Sequence, residues 1–345
     1  MESTLFKKRQ TSTFNIGVDG VFFDYVGLGL DVYSATTDDL LLEVPVPQQS
    51  GYSSSLQNVG KIRNQGIELK LYAAKELTFG KLSWSPSINA SMNKDKVLSL
   101  ASGQSQIING VNITQVGHSI GELYGYEVTG IYKTQADLDQ YPHMAGTQIG
   151  DYILKDLTGD GKITTADKKS FGSPAPKVIL GFNNVLKFGQ FECSIDLYSE
   201  LGKKKFNSTK ESLQRGEGFM MVTQDYFDNR FHPVNNPDGT LPTPNMANYS
   251  NTRKQGANSN LYFDNASYLS LRNLKLAYNV PATVCAKAGI TSLQLYFLGN
   301  NLLMLTPYKG FSVEAERYSN ILQQGQEHYA YPSARTMSVG INLVF

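Results

Sequence analysis

Leu82 to Asn93 reads LSWSPSINASMN, and its two faces are chemically opposite. Leu82, Trp84, Pro86, Ile88, Ala90 and Met92 alternate with Ser83, Ser85, Ser87, Asn89, Ser91 and Asn93. Successive side chains of a strand point to opposite sides, so this stretch predicts a strand with one apolar and one wholly polar face. The same period returns at Phe191, Cys193, Ile195 and Leu197 against Glu192, Ser194, Asp196 and Tyr198, and again at Met337, Val339, Ile341, Leu343 and Phe345. Val26, Leu28, Leu30 and Val32 alternate with Gly27, Gly29, Asp31 and Tyr33; Ile67, Leu69 and Leu71 alternate with Glu68, Lys70 and Tyr72. With Phe14 to Gly20, Val178 to Phe188, Leu269 to Val280 and Leu293 to Asn300, this makes about nine strands of the roughly 10-residue length that crosses a bilayer. In Leu269 to Val280 the apolar phase slips near Asn273, which predicts a β-bulge.

A soluble sandwich also alternates, so the connections decide. Short turns near Gly20 to Asp24, Lys75 to Lys81 and Lys187 to Gln190, with a modest one at Pro281 to Ile290, alternate with long connections. The long ones run from Thr36 to Lys61, Lys94 to Lys177, Leu201 to Ala266 and Leu302 to Arg335. Compact soluble domains rarely carry structureless connections above about 15 residues, whereas outer-membrane barrels pair short periplasmic turns with long extracellular loops. The expected fold is therefore all-β: part of a transmembrane antiparallel barrel with long extracellular loops. Trp84 and Tyr278 fall near strand ends, where an aromatic girdle would lie. Phe345 closes the last alternating strand, as expected of a C-terminal assembly signal of outer-membrane proteins.

The bulk numbers agree with this and narrow the function classes. A chain of 345 residues with 31 Lys and Arg against 30 Asp and Glu carries a net charge of +1, which lacks the basic excess of a nucleic-acid binder. The short basic run Lys203 to Lys205 is expected to be a solvated loop edge. Cys193 and Cys285 are far apart, which excludes a disulfide framework and a CxxC metal site. No run approaches the roughly 18 apolar residues of a transmembrane helix. Met1 to Gln10 has no apolar signal-peptide region, so the expectation is a fragment or a processed chain.

Six stretches resemble, in order, the C-terminal third of the SusC/RagA group of TonB-dependent outer-membrane transporters of Bacteroidota. They are LLLEVPVP (Leu40 to Pro47), LQNVGKIRNQGIEL (Leu56 to Leu69), GHSIGELYGYEVTGIY (Gly117 to Tyr132), GDYILKDLTGDGKITTADKKSFGSPAPKVILGF (Gly150 to Phe182), NASYLSLRNLKLAYNVP (Asn265 to Pro281) and FLGNNLLMLTPYKGF (Phe297 to Phe311). After TPYKG this chain has Ser312, Val313 and Glu314 where the family usually reads Asp-Pro-Glu. The resemblance implies that residues 1–345 are the C-terminal part of a barrel of roughly 22 strands. The plug, the TonB-interacting segment and the first barrel strands then lie outside this sequence. It also implies import of oligosaccharides or peptides by the whole protein in the outer membrane, energised by TonB, with a SusD-like surface lipoprotein as lid. The further partners implied are upstream barrel strands and outer-membrane lipids; no nucleic-acid partner is expected.

Asp156, Thr158, Asp160, Gly161, Lys162 and Asp167 occupy positions 1, 3, 5, 6, 7 and 12 of a calcium-loop pattern. Hard oxygens alternate along a tight loop, the glycine permits the sharp turn, and Lys162 offers its backbone carbonyl. The candidate metal ligands are thus Asp156, Thr158, Asp160, Lys162 and Asp167, for a structural Ca²⁺ pinning an extracellular loop. Thr158 in place of Asn or Asp, and Asp167 in place of a bidentate Glu, should weaken the site. The blander alternative is a turn built on Asp and Gly chemistry without metal.

No enzyme chemistry is expected. His118, His143, His232 and His328 are scattered among loops without metal spacing, and no GxSxG, P-loop or dinucleotide fingerprint sits in its required context. Tyr226, Phe227, Asn229 and Phe231 could stack on a sugar, although loop packing is the plainer role. Against import stands a surface-binding or adhesin barrel without active transport. A soluble β-sandwich hydrolase is disfavoured, because no catalytic constellation accompanies the strands.

Overall fold

The computed structural model describes residues 8–345 except 53, 59, 101–103, 215, 217–220 and 245–257. Of the Met1 to Gln10 stretch, residues 1–7 lie outside the described residues. Nine long strands form one continuous antiparallel sheet: β1 (Gln10–Phe22), β2 (Val26–Asp38), β3 (Lys61–Ala73), β4 (Leu82–Ser99), β5 (Val178–Phe188), β6 (Phe191–Leu201), β7 (Tyr268–Asn279), β8 (Ser292–Leu305) and β9 (Thr336–Val344). They pair strictly in chain order, and a short strand, Leu77–Phe79, adds to β4. Such a meander satisfies every interior strand's N–H and C=O groups through its neighbours, the condition for crossing hydrocarbon. The sheet does not close. β1 and β9 each keep one unpaired edge among the described residues.

Register carries the sequence alternation across the whole sheet. Ile16, Val32, Ile67 and Met92 are successive cross-strand partners, as are Phe188 with Phe191 and Tyr278, so apolar residues stack in rows on one face. That face is open: Val339 is 84% and Ile341 67% exposed, far more contiguous apolar surface than a soluble protein tolerates. Polar side chains buried on it, such as Asn184 and Ser199, are bonded within the sheet. The Asn184 Oδ1 accepts the Trp84 indole N–H at 3.0 Å, so the pair leaves no bare acceptor toward lipid. The girdle residue Tyr278 packs its ring 5.1 Å from that of Phe191.

The bulge lies where the apolar phase slips. Against β6 the pairing of β7 skips Arg272, which makes it the extra residue there, whereas against β8 Arg272 faces both Asn301 and Leu302, and the extra residue is in β8, where Asn301 takes a φ of 53°. At one end the strands are joined by tight turns, such as the two residues Gly189 and Gln190, where Gly189 takes the positive φ of 59° that a side chain disfavours. The widest connection at that end carries a one-turn helix, Ala282–Lys287.

The long connections at the other end are not structureless, contrary to expectation. The segment between β4 and β5 contributes a four-stranded sheet (Gln106–Asn109, Asn112–Gln115, Glu122–Gly125, Lys169–Gly172) and the pair Val128–Ile131 with Tyr152–Leu154. Most of the buried apolar side chains sit in these loops. Ile62 and Val97 at the strand ends pack with Ile107, Ile120 and Leu322, and Tyr126, Tyr152 and Ile163 pack with Phe231. Each loop thus buries apolar surface against its neighbours, which offsets the entropy of ordering it.

Candidate functional site: the polar wall and the loop body

The polar face of the sheet is built from the second half of the alternation. Tyr33 donates to Asn93 at 3.0 Å, Asn93 to Asn64 at 3.3 Å, Asn273 to Asp196 at 3.1 Å, and Lys275 pairs with Glu192 at 3.3 Å. A concavity of about 560 Å³ on this wall is lined by Asp19, Asp31, Glu68, Lys70, Asn89 and Tyr198 among others. Several tyrosines lie flat against the wall, because a glycine stands opposite each. A Cβ at Gly27 would meet the Tyr72 ring at 2.2 Å, one at Gly66 the Tyr33 ring at 2.5 Å, and one at Gly340 the Tyr296 ring at 2.4 Å. Such a surface offers donors, acceptors and ring faces to a hydrated solute.

Over the wall's long-loop end, three loops interlock through buried polar groups. Strand Lys204–Asn207 pairs with Phe263–Asn265 and, in parallel, with Gln326–Glu327. Lys205 was expected in solvent with its neighbours; instead it is fully buried, and only Lys204 of the run is exposed. Its Nζ donates to the Val313 and Ala315 carbonyls and pairs with Glu316 at 3.2 Å. Burial pushes its pKa down and Glu316 pulls it back up, which is the balance of a charge held only by its partners. Glu327, also fully buried, accepts from Thr209, Tyr308 and the Ala330 N–H. Asn112 ties in the third loop, donating to the Gly121 and Gln324 carbonyls and accepting from Gln326.

The loop body is fastened to the wall at the bulge. Arg272 stacks on Tyr198, 3.7 Å from the ring centre, and reaches Glu314 at 3.0 Å; Tyr268 donates to the same carboxylate at 3.3 Å. Glu314 is the residue of the Ser-Val-Glu departure that matches the family. The Ser312 hydroxyl accepts the Glu314 and Ala315 N–H groups, so a neutral oxygen does the turn-capping open to an aspartate there, and Val313 is buried.

In the candidate calcium loop, the Thr158 hydroxyl lies 3.2 Å from Asp156 and 3.1 Å from Asp167, so three of the five proposed ligands meet. Asp160 turns away and accepts the Lys162 N–H at 2.9 Å. Asp167 is fully buried; desolvation raises its pKa, but hydrogen bonds from Thr164, Thr158 and Leu157 outweigh it and hold the carboxyl below its usual range. Asp156 accepts from the Gly159 and Gly161 N–H groups. Among the described residues no three His, Cys, Asp or Glu side chains gather at a point that could hold a metal ion. The oxygens present fit a calcium ion only in part, and the loop closes on its own hydrogen bonds.

The remaining candidates are local. His118 faces Glu122 at 3.3 Å, His143 the Tyr141 carbonyl at 3.2 Å, and His232 accepts from Val234 and Asn235. His328 bonds Ser208 at 2.6 Å. Tyr226 and Phe231 are buried in loop cores, whereas Asn229, donating to Asp225, and Phe227, with Arg230 stacked at 3.8 Å, are exposed. The aromatic cluster is therefore mostly loop packing. The burial of Lys205 and the role of Arg272 were missed, because neither leaves a mark in local spacing.

The family model described as TonB dependent receptor-like, beta-barrel matches residues 4–178. TonB-dependent receptor P3 of Formosa agariphila is 32% identical over 98% of this chain and 34% of its own length. TonB-dependent receptor SusC of Bacteroides thetaiotaomicron is 25% identical over 98% and 32%. The structure described as the RagAB peptide transporter superposes with a TM-score of 0.79 at 24% identity, covering 98% of this chain and 35% of that one. The chain thus spans about a third of the length of the curated relatives it matches. An open arc of membrane-length strands, matched by the family over half its length, is part of an outer-membrane barrel: the chain belongs to the TonB-dependent receptor-like β-barrel family.

Proposed function

We propose that these nine strands are consecutive wall strands of a TonB-dependent nutrient importer for oligosaccharides or peptides. The long loops then face outward, a SusD-like lipoprotein acts as lid, and the plug and remaining strands lie outside this sequence. The observation that carries this is the polar wall beneath one interlocked loop body: the wall gives a solute a hydrated path, and the loops gather at one mouth. Labelled maltooligosaccharide and peptide mixtures offered to cells carrying the full-length receptor should give saturable uptake that is lost when TonB is deleted. Surface binding that persists without any TonB-dependent uptake would instead make this a binding or adhesin barrel.

Calcium in the Asp156 to Asp167 loop is a second, separate reading, supported by the Thr158 hydroxyl lying between two carboxylates. It requires Asp160 to turn from its own loop toward them. Calorimetry on the full-length receptor should then show saturable calcium binding that Asp160→Asn weakens, and chelation should expose the loop between β4 and β5 to protease. A parent protein with neither a calcium heat nor calcium-dependent cleavage would leave the loop a metal-free turn.

A further inference from the structure

Three cross-strand rows on the apolar face of β1 to β4 change character abruptly toward the long-loop end. Ile16, Val32, Ile67 and Met92 form the last apolar row, each about half exposed or more. The next row on the same face is Phe14, Ser34, Gln65 and Lys94, and the one beyond is Ser12, Thr36, Arg63 and Lys96. Three cations, Arg63, Lys94 and Lys96, therefore stand on the membrane-facing side just past the edge of the hydrocarbon belt. Strand geometry places directly opposed Cβ atoms about 5 Å apart and diagonal ones within about 8 Å.

Nothing in the wall accounts for this clustering. Arg63 is the direct partner of Lys96, and like charges so opposed repel. No ion pair to any of the three occurs among the described residues, whereas Lys61, on the same rim, is paired with Asp38 at 2.9 Å. The Arg63 Nε is shielded without an acceptor among the described residues. A cavity of about 810 Å³ reaches the cluster at Lys94; Ile67 and Met92 are among its apolar lining, Lys94 and Lys177 are its basic lining, and Asp95 and Glu122 are its acidic lining. Apolar rows ending in unpaired cations complement one kind of molecule: an amphiphile with acyl chains and a phosphate headgroup.

We propose that Arg63, Lys94 and Lys96 bind the phosphates of an outer-leaflet lipid of the lipid A type, whose acyl chains lie along Ile16, Val32, Ile67 and Met92. The proposal rests on the orientation given above, with the long loops outside. Its chemistry does not depend on what is imported. The lipid relieves the repulsion between Arg63 and Lys96 and fixes the height of the wall in the membrane.

The test is native mass spectrometry of the full-length receptor in detergent with added diphosphoryl lipid A. Dephosphorylated lipid A and phosphatidylcholine serve as the comparison lipids. The parent should hold diphosphoryl lipid A through detergent exchange and release the other two. The triple variant Arg63→Ser, Lys94→Ser, Lys96→Ser should bind it roughly 100-fold more weakly while assembling normally. The pair Lys75→Ser, Lys81→Ser at the opposite end should bind as the parent does. Equal retention by parent and triple variant, or equal retention of the dephosphorylated lipid, would overturn the proposal. External labelling of Pro237→Cys on intact cells checks the orientation separately. A receptor that binds lipid A as described but imports nothing would sink the importer reading and leave this one standing.

Discussion

Replacing Lys205 with alanine in the full-length receptor should unfasten the loop body while leaving the barrel wall assembled. The substitution strips Glu316 of its buried partner and leaves the Val313 and Ala315 carbonyls without their donor. Glu316, itself about a third exposed, keeps solvent and the Gly325 and Gln326 N–H groups, but a buried carbonyl left without its donor costs about 1–3 kcal/mol. That exceeds what a surface contact contributes, so the parallel pairing of 204–207 with 326–327 should fray first. Limited proteolysis of intact cells should then cut within 202–214 and 306–335, sites protected in the parent, while the heat-modifiable barrel band persists. Lys204→Ala, one residue away and exposed, should leave the cleavage pattern nearly unchanged. If the two variants behave alike, the buried charge does not hold the loops together.

The second large effect concerns the edges. Nine strands leave β1 and β9 each with a row of unpaired N–H and C=O groups, and each such group costs several kcal/mol in hydrocarbon. No side-chain packing on this sheet offsets a penalty of that size. Expressed by itself with a signal peptide, the 345-residue chain should aggregate or be degraded. Co-expressed with the barrel portion that its relatives carry in addition, it should be rescued as a split barrel, with β9 and β1 pairing to the strands so supplied. A protease-resistant, heat-modifiable barrel from this chain alone would mean that the edges find partners within it.

The wall was legible because a transmembrane strand is a local object. One residue in two must face lipid, so Leu82 to Asn93 displays its own orientation, and nine strands and the bulge at Arg272 follow from phase alone. Strand ends were less legible: β4 runs on to Ser99, well past the last apolar residue of the alternation, because Val97 and Ile62 point into the loop core rather than to lipid. The loops were hardly legible at all. Lys203 to Lys205 looks like a solvated edge until a strand 120 residues on, Gln326–Glu327, pairs with the adjoining Phe206 and Asn207, and the last lysine, Lys205, is buried. Aspartates in the 156–167 loop bear a ligand pattern, yet the same atoms serve equally well as acceptors for their own turn, and spacing does not separate the two uses.

The direct question is whether β4 stands in the membrane with one face to lipid. Single spin labels placed at each position from Ser87 to Asn93 of the full-length receptor, reconstituted in bilayers, would answer it. Labels at Ile88, Ala90 and Met92 should be relaxed by oxygen dissolved in the lipid, and those at Asn89, Ser91 and Asn93 by a water-soluble nickel complex. The two accessibilities should oscillate with a period of two residues and in opposite phase. Oxygen and nickel accessibilities that rise and fall together, or that show no period of two, would mean that this stretch does not form the wall of a membrane barrel.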